Sequence, residues 1–497
     1  MLLTPTSVTV NKYQETHSEK DYALIAGIPI DNLDYNHAVN RIDCLIKKGR
    51  EDNTTHYVAT VNVDFLVKAI AVFKSNKIQN ELLHTLRSSD LVTADGAPII
   101  WLSKLVGTNL HERVTGADLL PKIAQLCCTR NYSMFFLGGD AASAKQASKK
   151  LIEDNPKLRI VGALSPHVAI KGKGLETSFT EDQILVEQIN NSGADVLALA
   201  LGNPKQEIWF QRNRHKLNIP VTIGVGGTLN FISGAVKRAP KWMQNSGLEW
   251  VYRLLQEPTR LWKRYAVGSL KLGLLSIPII LNRIIQANFI DHTQDEIKTQ
   301  IYHSNNSSQI RRFSFKGNIT NKTIKSAWNS YLSIQPQDDI HFVFDFSSTT
   351  NIENDALANL TRLWSKMQIN KSRWTACSIN LRLRIILRLN HLTSNMQSHF
   401  LNDFCAVLLA SKSSEGEGCC WINGTRRHLI GVLDAKWCNL DPLFIDKKYD
   451  IPGTQIIDVS GVEQMDNAAV CYVLHACATN NYTIQNDKGG FLPTQHV

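Results

Sequence analysis

Nowhere does this 497-residue chain hold an uninterrupted apolar run of the ~20 residues that a membrane-spanning helix needs. Its longest uncharged apolar stretch, Leu272 to Leu281, is about half that length, so a spanning helix is not expected. Its ten cysteines include the adjacent pairs Cys127-Cys128 and Cys419-Cys420 but no CxxC. That removes the common zinc and redox spacings, and so cysteine-poor a chain is not a disulfide scaffold. The opening MLLTPTSVTVNKYQETHSEKDY lacks a basic segment followed by an apolar core of about 7–15 residues. A secretory signal is therefore not expected, and the cytosol is the expected compartment. No GxGxxG opens the first strand–helix unit with an acidic residue ~20 positions later, which places a nicotinamide-dependent oxidoreductase last among the readings. A DxD set between apolar runs, as a nucleotide-bound cation would require, is missing too, so no metal site and no cofactor are expected.

What is present is the composition of a globular protein, with 43% hydrophobic and 20% charged residues. At ~150 residues per domain the length suggests about three domains. The net charge of +10 is uneven: residues 1–286 carry 34 Lys+Arg against 25 Asp+Glu, whereas 287–497 carry 20 against 19. The excess in the first half favours an anionic partner there, such as a nucleotide, a lipid headgroup or nucleic acid; a solvated basic face is the plainer alternative.

The chain is organised around Ala194 to Lys241. One apolar run, Val196 to Leu201, stops at Gly202-Asn203-Pro204, and Lys205-Gln206-Glu207 opens a helix. A second, Val221 to Val225, stops at Gly226-Gly227. Short apolar runs between helical segments predict buried parallel strands, and ligands of such sheets bind beyond the strands' carboxyl ends. Either turn alone reads as an ordinary strand–helix connection; the pair describes a site for a phosphate-bearing ligand. Upstream, Leu24–Ile30, His56–Val61, Leu91–Ala94, Met134–Leu137 (closed by Gly138-Gly139) and Arg159–Ala163 read as further strands. They alternate with helical stretches such as Asn36–Lys48, Phe65–Ser75 and Ile78–Leu86. The pattern predicts an α/β fold: a Rossmann-like, mostly parallel sheet with helices on both faces.

After Pro240 the texture changes. Trp250, Tyr252, Trp262 and Tyr265 lie among Arg253, Arg260, Lys263, Arg264 and Lys271, which suits a helix lying on an anionic membrane surface, or equally one packed on the main domain. Ala287 to Gln309 reads as a linker. Beyond it the chain repeats itself: Phe344 to Asn354 (FDFSSTTNIEN) matches Ile457 to Asn467 (IDVSGVEQMDN). Each copy predicts a strand ending on Asp-x-Ser, a loop, an acidic-Asn pair and a helix start, hence two small α/β units separated by the loop-like Ser411 to Gly424.

Seven motifs in order extend this reading. They are TVN (60–62), ADGAPI (94–99), ERVTGADL (112–119), FLGG (136–139), LGNPKQEIW (201–209), GVGGTLNFISGAVKRAP (224–240) and GLEWVYRLLQEPTRLWKRY (247–265). The series resembles the WecG/TagA/CpsF glycosyltransferases, family 26, over roughly Tyr22 to Leu275. The resemblance implies an inverting, metal-independent transfer of a sugar from a UDP-sugar to a polyprenyl-diphosphate-linked saccharide at the inner face of the cell membrane, without nucleic acid. It implies that Asp95 is the general base, with Thr60 and Asn62 beside it. Gly138, Gly139, Gly202, Lys205, Gln206, Glu207, Gly224, Gly226 and Gly227 would line the nucleotide side. Arg113, Arg238, Arg253, Arg260 and Arg264 would stabilise the leaving diphosphate. The family usually has Pro where this chain has Val61, and commonly Asp where it has Asn230; the second departure bears on the choice of sugar.

The two C-terminal copies resemble STAS domains, whose Asp-Ser pair can be phosphorylated. Here the pairs are Glu353-Asn354 and Asp466-Asn467, so they imply constant docking surfaces for a second copy or a protein partner, dispensable for catalysis. The expected layout is a polar extension (1–20), the transferase domain (21–245), a membrane-associating appendage (246–286), a linker (287–309), module 1 (310–410), a second linker (411–424) and module 2 (425–497). An inactive scaffold acting through the modules is the alternative reading; the retained Asp95, Thr60, Asn62 and arginines speak against it.

Overall fold

The computed structural model describes residues 22–70, 76–171, 175–287, 296–303, 309–333, 340–392, 400–401, 419–423, 426–433, 455–465, 470, 473–474, 477 and 482–485. The expectations for 1–20, for the tail of the Phe65–Ser75 helix, for the Asp466-Asn467 pair and for most of module 2 lie outside these residues.

The chain enters on a hairpin of β1 (Tyr22–Ile25) and β2 (Ile28–Asp31), where the sequence suggested one strand. Ala26 and Gly27 both take positive φ, 49° and 79°, the requirement of a two-residue hairpin turn, so the apolar run folds back with Ile25 opposite Ile28. Then follow α1 (Tyr35–Asp52), β3 (His56–Val61), α2 (Val63–Ala69), α3 (Lys77–Arg87), β4 (Leu91–Ala94), α4 (Ala97–Leu105), α5 (Gly116–Arg130), β5 (Ser133–Gly138), α6 (Ala141–Asp154), β6 (Arg159–Leu164), α7 (Leu175–Asn191), β7 (Val196–Ala200), α8 (Lys205–Asn213) and β8 (Val221–Gly224). Side-chain caps set several helix starts: Asp34 accepts from the His37 amide, Asn76 and Gln79 form a capping box, and Thr115 accepts from Asp118.

β3 to β8 form one parallel sheet in the order β4-β3-β8-β7-β5-β6. β3, β4, β5, β7 and β8 are buried throughout, which is why their sequences read as continuous apolar runs rather than alternating ones. Separate apolar cores fill the two faces, as expected of the Rossmann-like α/β class. The strand order reverses beside β3, with β4 to one side and the later strands to the other, so the crevice for a ligand opens at the carboxyl ends of β3 and β8.

Short helices α9 (Thr228–Ile232) and α10 (Lys241–Asn245) lead to α11 (Glu249–Gln256) and the 30-residue α12 (Pro258–Ala287). Between Leu261 and Gln286, α12 is long and apolar enough to cross a membrane by length and composition alone. The helix extends well beyond the uncharged stretch Leu272 to Leu281, past Lys271 and Arg283. One face of α12, with Leu261, Leu275, Ile279, Asn282 and Gln286, is buried; another, with Val267, Leu270, Leu274, Ile277, Leu281 and Ile284, is exposed.

β9 (Glu296–His303), β10 (Gln309–Ile319), α13 (Asn321–Leu332), β11 (Ile340–Ile352), α14 (Asn354–Ile369), β12 (Arg373–Cys377), α15 (Leu381–Leu389) and β13 (Phe400–Leu401) build a second sheet, ordered β13-β12-β11-β10-β9. A third, β14-β15-β16-β17, comprises β14 (Cys419–Asn423), β15 (Arg426–Leu433), β16 (Gln455–Met465) and β17 (Tyr482–Gln485). Three expectations are corrected. The first linker contains β9, which pairs antiparallel with β10, and the second contains β14, which pairs with β15. Nor do the repeated strands end at Asp-x-Ser: β11 runs on to Ile352 and β16 to Met465. Two register shifts in each parallel pair let the strand continue through the stretch that reads as a loop. The same offsets at the same relative places confirm the internal repeat.

Module 1 is not a free-standing appendix. Its core takes in Tyr22 and Leu24 of β1, so the hairpin is shared: Ala23 and Ile25 point into the transferase sheet, and the alternate residues point into the module.

Candidate active site

Parallel strands deliver their C-terminal residues to one edge, and the candidates collect there. β3 ends in Thr60 and Val61, and Asn62 follows it. The buried Thr60 hydroxyl donates to Gly224 O at 3.0 Å, tying β3 to β8 across the crevice. Asn62 caps α2, its Oδ1 accepting the Asp64 amide at 3.0 Å. Asp95 follows β4, its N–H bonded to Val61 O at 2.8 Å. Burial pushes the Asp95 carboxyl up to about 6; nearby Glu249 adds to this, whereas Arg113, Arg253 and the Gly116 amide oppose it. It is therefore ionised near neutrality yet a far stronger base than a surface carboxylate.

Around Asp95 runs an ion network. Arg113 Nη1 donates to Glu249 Oε2 at 3.1 Å, and Arg238 binds Asp118 through both Nη atoms while its Nε lies 3.6 Å from Glu249 Oε1. The guanidiniums of Arg238 and Arg253 stand over the Phe231 ring, at 6.0 and 5.1 Å from its centroid. Gly227, Asn230, Phe231, Val236, Arg253, Gln256, Glu257 and Leu261 line a small groove beside them. Glu249, Asp118 and Phe231 were not singled out in the sequence, although each lies inside a quoted motif. What hid them is that their partners are remote in the chain.

The glycine turns divide. Gly202, Gly226 and Gly227 face open space, where an added Cβ meets nothing, leaving room for a ligand to reach the backbone. At Gly138, φ is 105° and a Cβ would sit 2.7 Å from the Ala200 carbonyl carbon, so this glycine serves strand packing. Gly139 donates its amide to Ala200 O at 3.0 Å, and a Cβ on Gly224 would meet the Gln206 amide and the Tyr57 hydroxyl.

Lys205 opens α8 half-buried. Gln206 and Glu207 are buried and point inward, which differs from a ligand-lining role. Gln206 Oε1 accepts the Gly226 amide at 3.1 Å, bracing one glycine turn against the other. Glu207 accepts from Gln206 Nε2, Tyr57 Oη and Asn203 Nδ2 at 2.7, 3.2 and 3.2 Å. Burial nonetheless pushes its carboxyl up to about 7. The side chains of Arg260 and Arg264, on the first turns of α12, lie outside the described residues. Among the described residues, no group of three or more His, Cys, Asp or Glu is placed to hold a metal ion.

The glycosyl transferase WecG/TagA/CpsF family matches residues 23–286, which is over half of the chain and includes every residue of this site. The chain belongs to that family. Two relatives are N-acetylglucosaminyldiphosphoundecaprenol N-acetyl-beta-D-mannosaminyltransferases. The one from Bacillus subtilis (strain 168) is 29% identical over 251 residues, 49% of this chain and 90% of that protein. The one from Bacillus spizizenii is 27% identical over 279 residues, 55% of this chain and 98% of that protein. Among solved structures, murine Solute Carrier 26 family member A9, an anion transporter, aligns with 76% of this chain and 75% of its own at 10% identity. Its TM-score of 0.20 is too low to carry fold or function. As a WecG/TagA/CpsF protein the chain is a glycosyltransferase, and its modules lie beyond the family match.

Proposed function

We propose that the chain transfers a sugar, of the N-acetylmannosamine type or a related hexose, from a UDP-sugar to a saccharide carried on a polyprenyl diphosphate, in envelope or exopolysaccharide synthesis. The observation that carries this is Asp95: a carboxylate raised to about 6 at a strand end, beside Asn62 and facing arginines. The acceptor hydroxyl attacks the anomeric carbon from the face opposite UDP, and its proton passes to Asp95. The bond from that carbon to the diphosphate oxygen breaks with inversion, and the electron pair leaves on UDP. Arg113, Arg238 and Arg253 meet the developing charge, with Arg260 and Arg264 following on α12, so the reaction runs without a metal. Gly202, Gly226 and Gly227 let the nucleotide approach the backbone. Asn230, beside Arg253 in the groove, bears on which sugar fits.

The exposed apolar face of α12, flanked by Trp250, Trp262, Lys263 and Lys271, lies along an anionic membrane at its cytoplasmic side and meets the lipid-linked acceptor there. The C-terminal units are STAS-like, and module 2 is the one left to dock a partner or a second copy. Purified full-length protein, offered a panel of UDP-sugars and polyprenyl-diphosphate N-acetylglucosamine with and without EDTA, should release UDP in both conditions. Silence across the panel, or loss of turnover with EDTA that a divalent cation restores, refutes the corresponding part.

A further inference from the structure

β4, which leads into Asp95, is an edge strand of the six-stranded sheet, paired among the described residues with β3 alone. An edge strand has backbone groups with no neighbouring strand to hold them, an unsuitable mount for a base that must be placed within a fraction of an ångström. Here one side chain meets that free edge, and a second ties the start of β4 to β3. Asp31 Oδ2 accepts the Val92 amide at 2.8 Å. Asp90, immediately before β4, accepts the Tyr57 amide through Oδ2 at 3.0 Å and returns its own N–H to Tyr57 O at 2.9 Å. Both carboxylates are buried or nearly so, and both are held from module 1. Arg362 forks onto Asp31 (Nη1 to Oδ1 2.9 Å, Nη2 to Oδ2 2.6 Å), and Lys366 Nζ reaches Asp90 Oδ1 at 2.8 Å. Asp90 also faces His56 at 3.0 Å and Arg214 at 3.8 Å, both from the transferase.

These contacts form a stripe. Asn354, Ala358, Arg362 and Lys366 recur every fourth residue of α14 and so share one face. At its start Asn354, the residue at the phosphorylatable position of the STAS resemblance, is buried. It accepts the Leu24 amide at 2.8 Å and donates to Leu24 O at 3.2 Å. Arg87 Nε donates to Gly27 O at 2.8 Å, and its Nη2 donates to His391 O at 3.0 Å, closing the far side. The edge that reads as a docking surface is thus occupied by the chain's own hairpin. The second copy does not repeat the stripe: counted from Asn467 in the aligned repeat, the positions of Arg362 and Lys366 hold His475 and Thr479.

We propose that module 1 is a built-in brace for the catalytic strand. Arg362 and Lys366 are positioning residues that act through Asp31 and Asp90 on β4, and so on Asp95. The proposal rests on Asp95 being the base, so the test includes a readout that does not depend on it. In the full-length protein, Arg362→Met and Lys366→Met are compared with wild type and with Arg362→Lys by steady-state kinetics per folded molecule and by amide hydrogen exchange. A shift of about an ångström at a reacting group costs up to ~10²-fold. Arg362→Met should therefore lower kcat at least about tenfold while KM for the donor stays within about threefold, and Arg362→Lys should recover part of the loss. Amides of residues 88–96 should exchange faster, while those of β7 and β8 do not.

Should Arg362→Met fail to fold, Lys366→Met decides, since Asp90 keeps His56 and Arg214. Unchanged kcat with unchanged exchange in 88–96, or a loss of activity matched by lost folded fraction alone, overturns the brace. If Asp95→Asn turns over normally, the assignment of the base falls, and the exchange of 88–96 still decides whether the module braces the strand.

Discussion

Arg362→Met removes one partner of a buried ion pair: Asp31 loses the two-pronged contact of the guanidinium, while its Oδ2 still accepts the Val92 amide. Both side chains of the pair are less than a tenth exposed. The carboxylate must then stay charged in a poorly solvated place or take up a proton. Losing one member of such a pair costs about 3–5 kcal/mol, a large share of the ~5–15 kcal/mol that holds a domain together. Asp31→Asn in the same chain should restore most of the loss, because Asn Oδ1 still accepts from Val92 and no unpaired charge remains; the cycle should show a coupling of about 2–3 kcal/mol.

Urea unfolding followed by tryptophan fluorescence reads both bodies. Trp364 and Trp374 stack at 5.0 Å in the core of module 1, and Trp209 is buried beneath the transferase sheet. One shared transition that moves with the mutation is expected. A loss below about 1 kcal/mol, or a double variant no better than Arg362→Met alone, would refute the claim that the pair fastens module to transferase.

Three further outcomes follow from the packing. A chain ending at Gln286 strips the cover from Tyr22 and Leu24 and removes the Gln286 bond to Ile352 O; it should be poorly soluble or lack a cooperative transition, whereas a soluble, cooperatively folding, active fragment would show that module 1 is dispensable. The Glu207 carboxyl titrates at about 7 in the fold against ~4.3 unfolded. The folded state therefore holds a proton that the unfolded state has lost, and stability should fall as pH rises from about 4.3 to 7, by on the order of 3 kcal/mol. Glu207→Gln should flatten that part of the curve in denaturant titrations across pH, and an unchanged slope would count against it. Leu270→Glu with Ile277→Glu, on the exposed face of α12, should weaken binding to anionic vesicles at least tenfold and leave donor hydrolysis or binding unaltered. Equal sedimentation with vesicles would remove that face from the membrane.

Much of the transferase fold is legible because β3, β7 and β8 are buried on both sides and read as unbroken apolar runs, and because glycines mark where they stop. The hairpin was misread for the same reason: Leu24 to Ile30 is apolar throughout, and only the backbone shows Ala26-Gly27 turning. The family resemblance singled out Asp95, Thr60 and Asn62, and the fold sets the ends of β3 and β4 that carry them side by side. The resemblance could not distinguish Gly226, which faces open space, from Gly224, which makes room for Gln206, nor show that Glu207 turns inward. Pairings such as Arg362 with Asp31, more than three hundred residues apart, leave no local period. Asn354, Ala358, Arg362 and Lys366 stand at helical spacing in the sequence, but two cations on one helix face usually mean a solvated face; only the fold supplies the buried carboxylates opposite.

Most direct for the central claim is UDP release by the full-length protein with Asp95 intact and as Asp95→Asn, using a UDP-sugar and a polyprenyl-diphosphate acceptor. The variant should bind donor within a few-fold of wild type yet turn over ~10²–10⁴-fold more slowly. The wild-type rate should fall as pH drops below about 6, where Asp95 takes up its proton and can no longer accept one from the acceptor. Turnover by Asp95→Asn within a few-fold of wild type, with the same acid limb, would contradict the account.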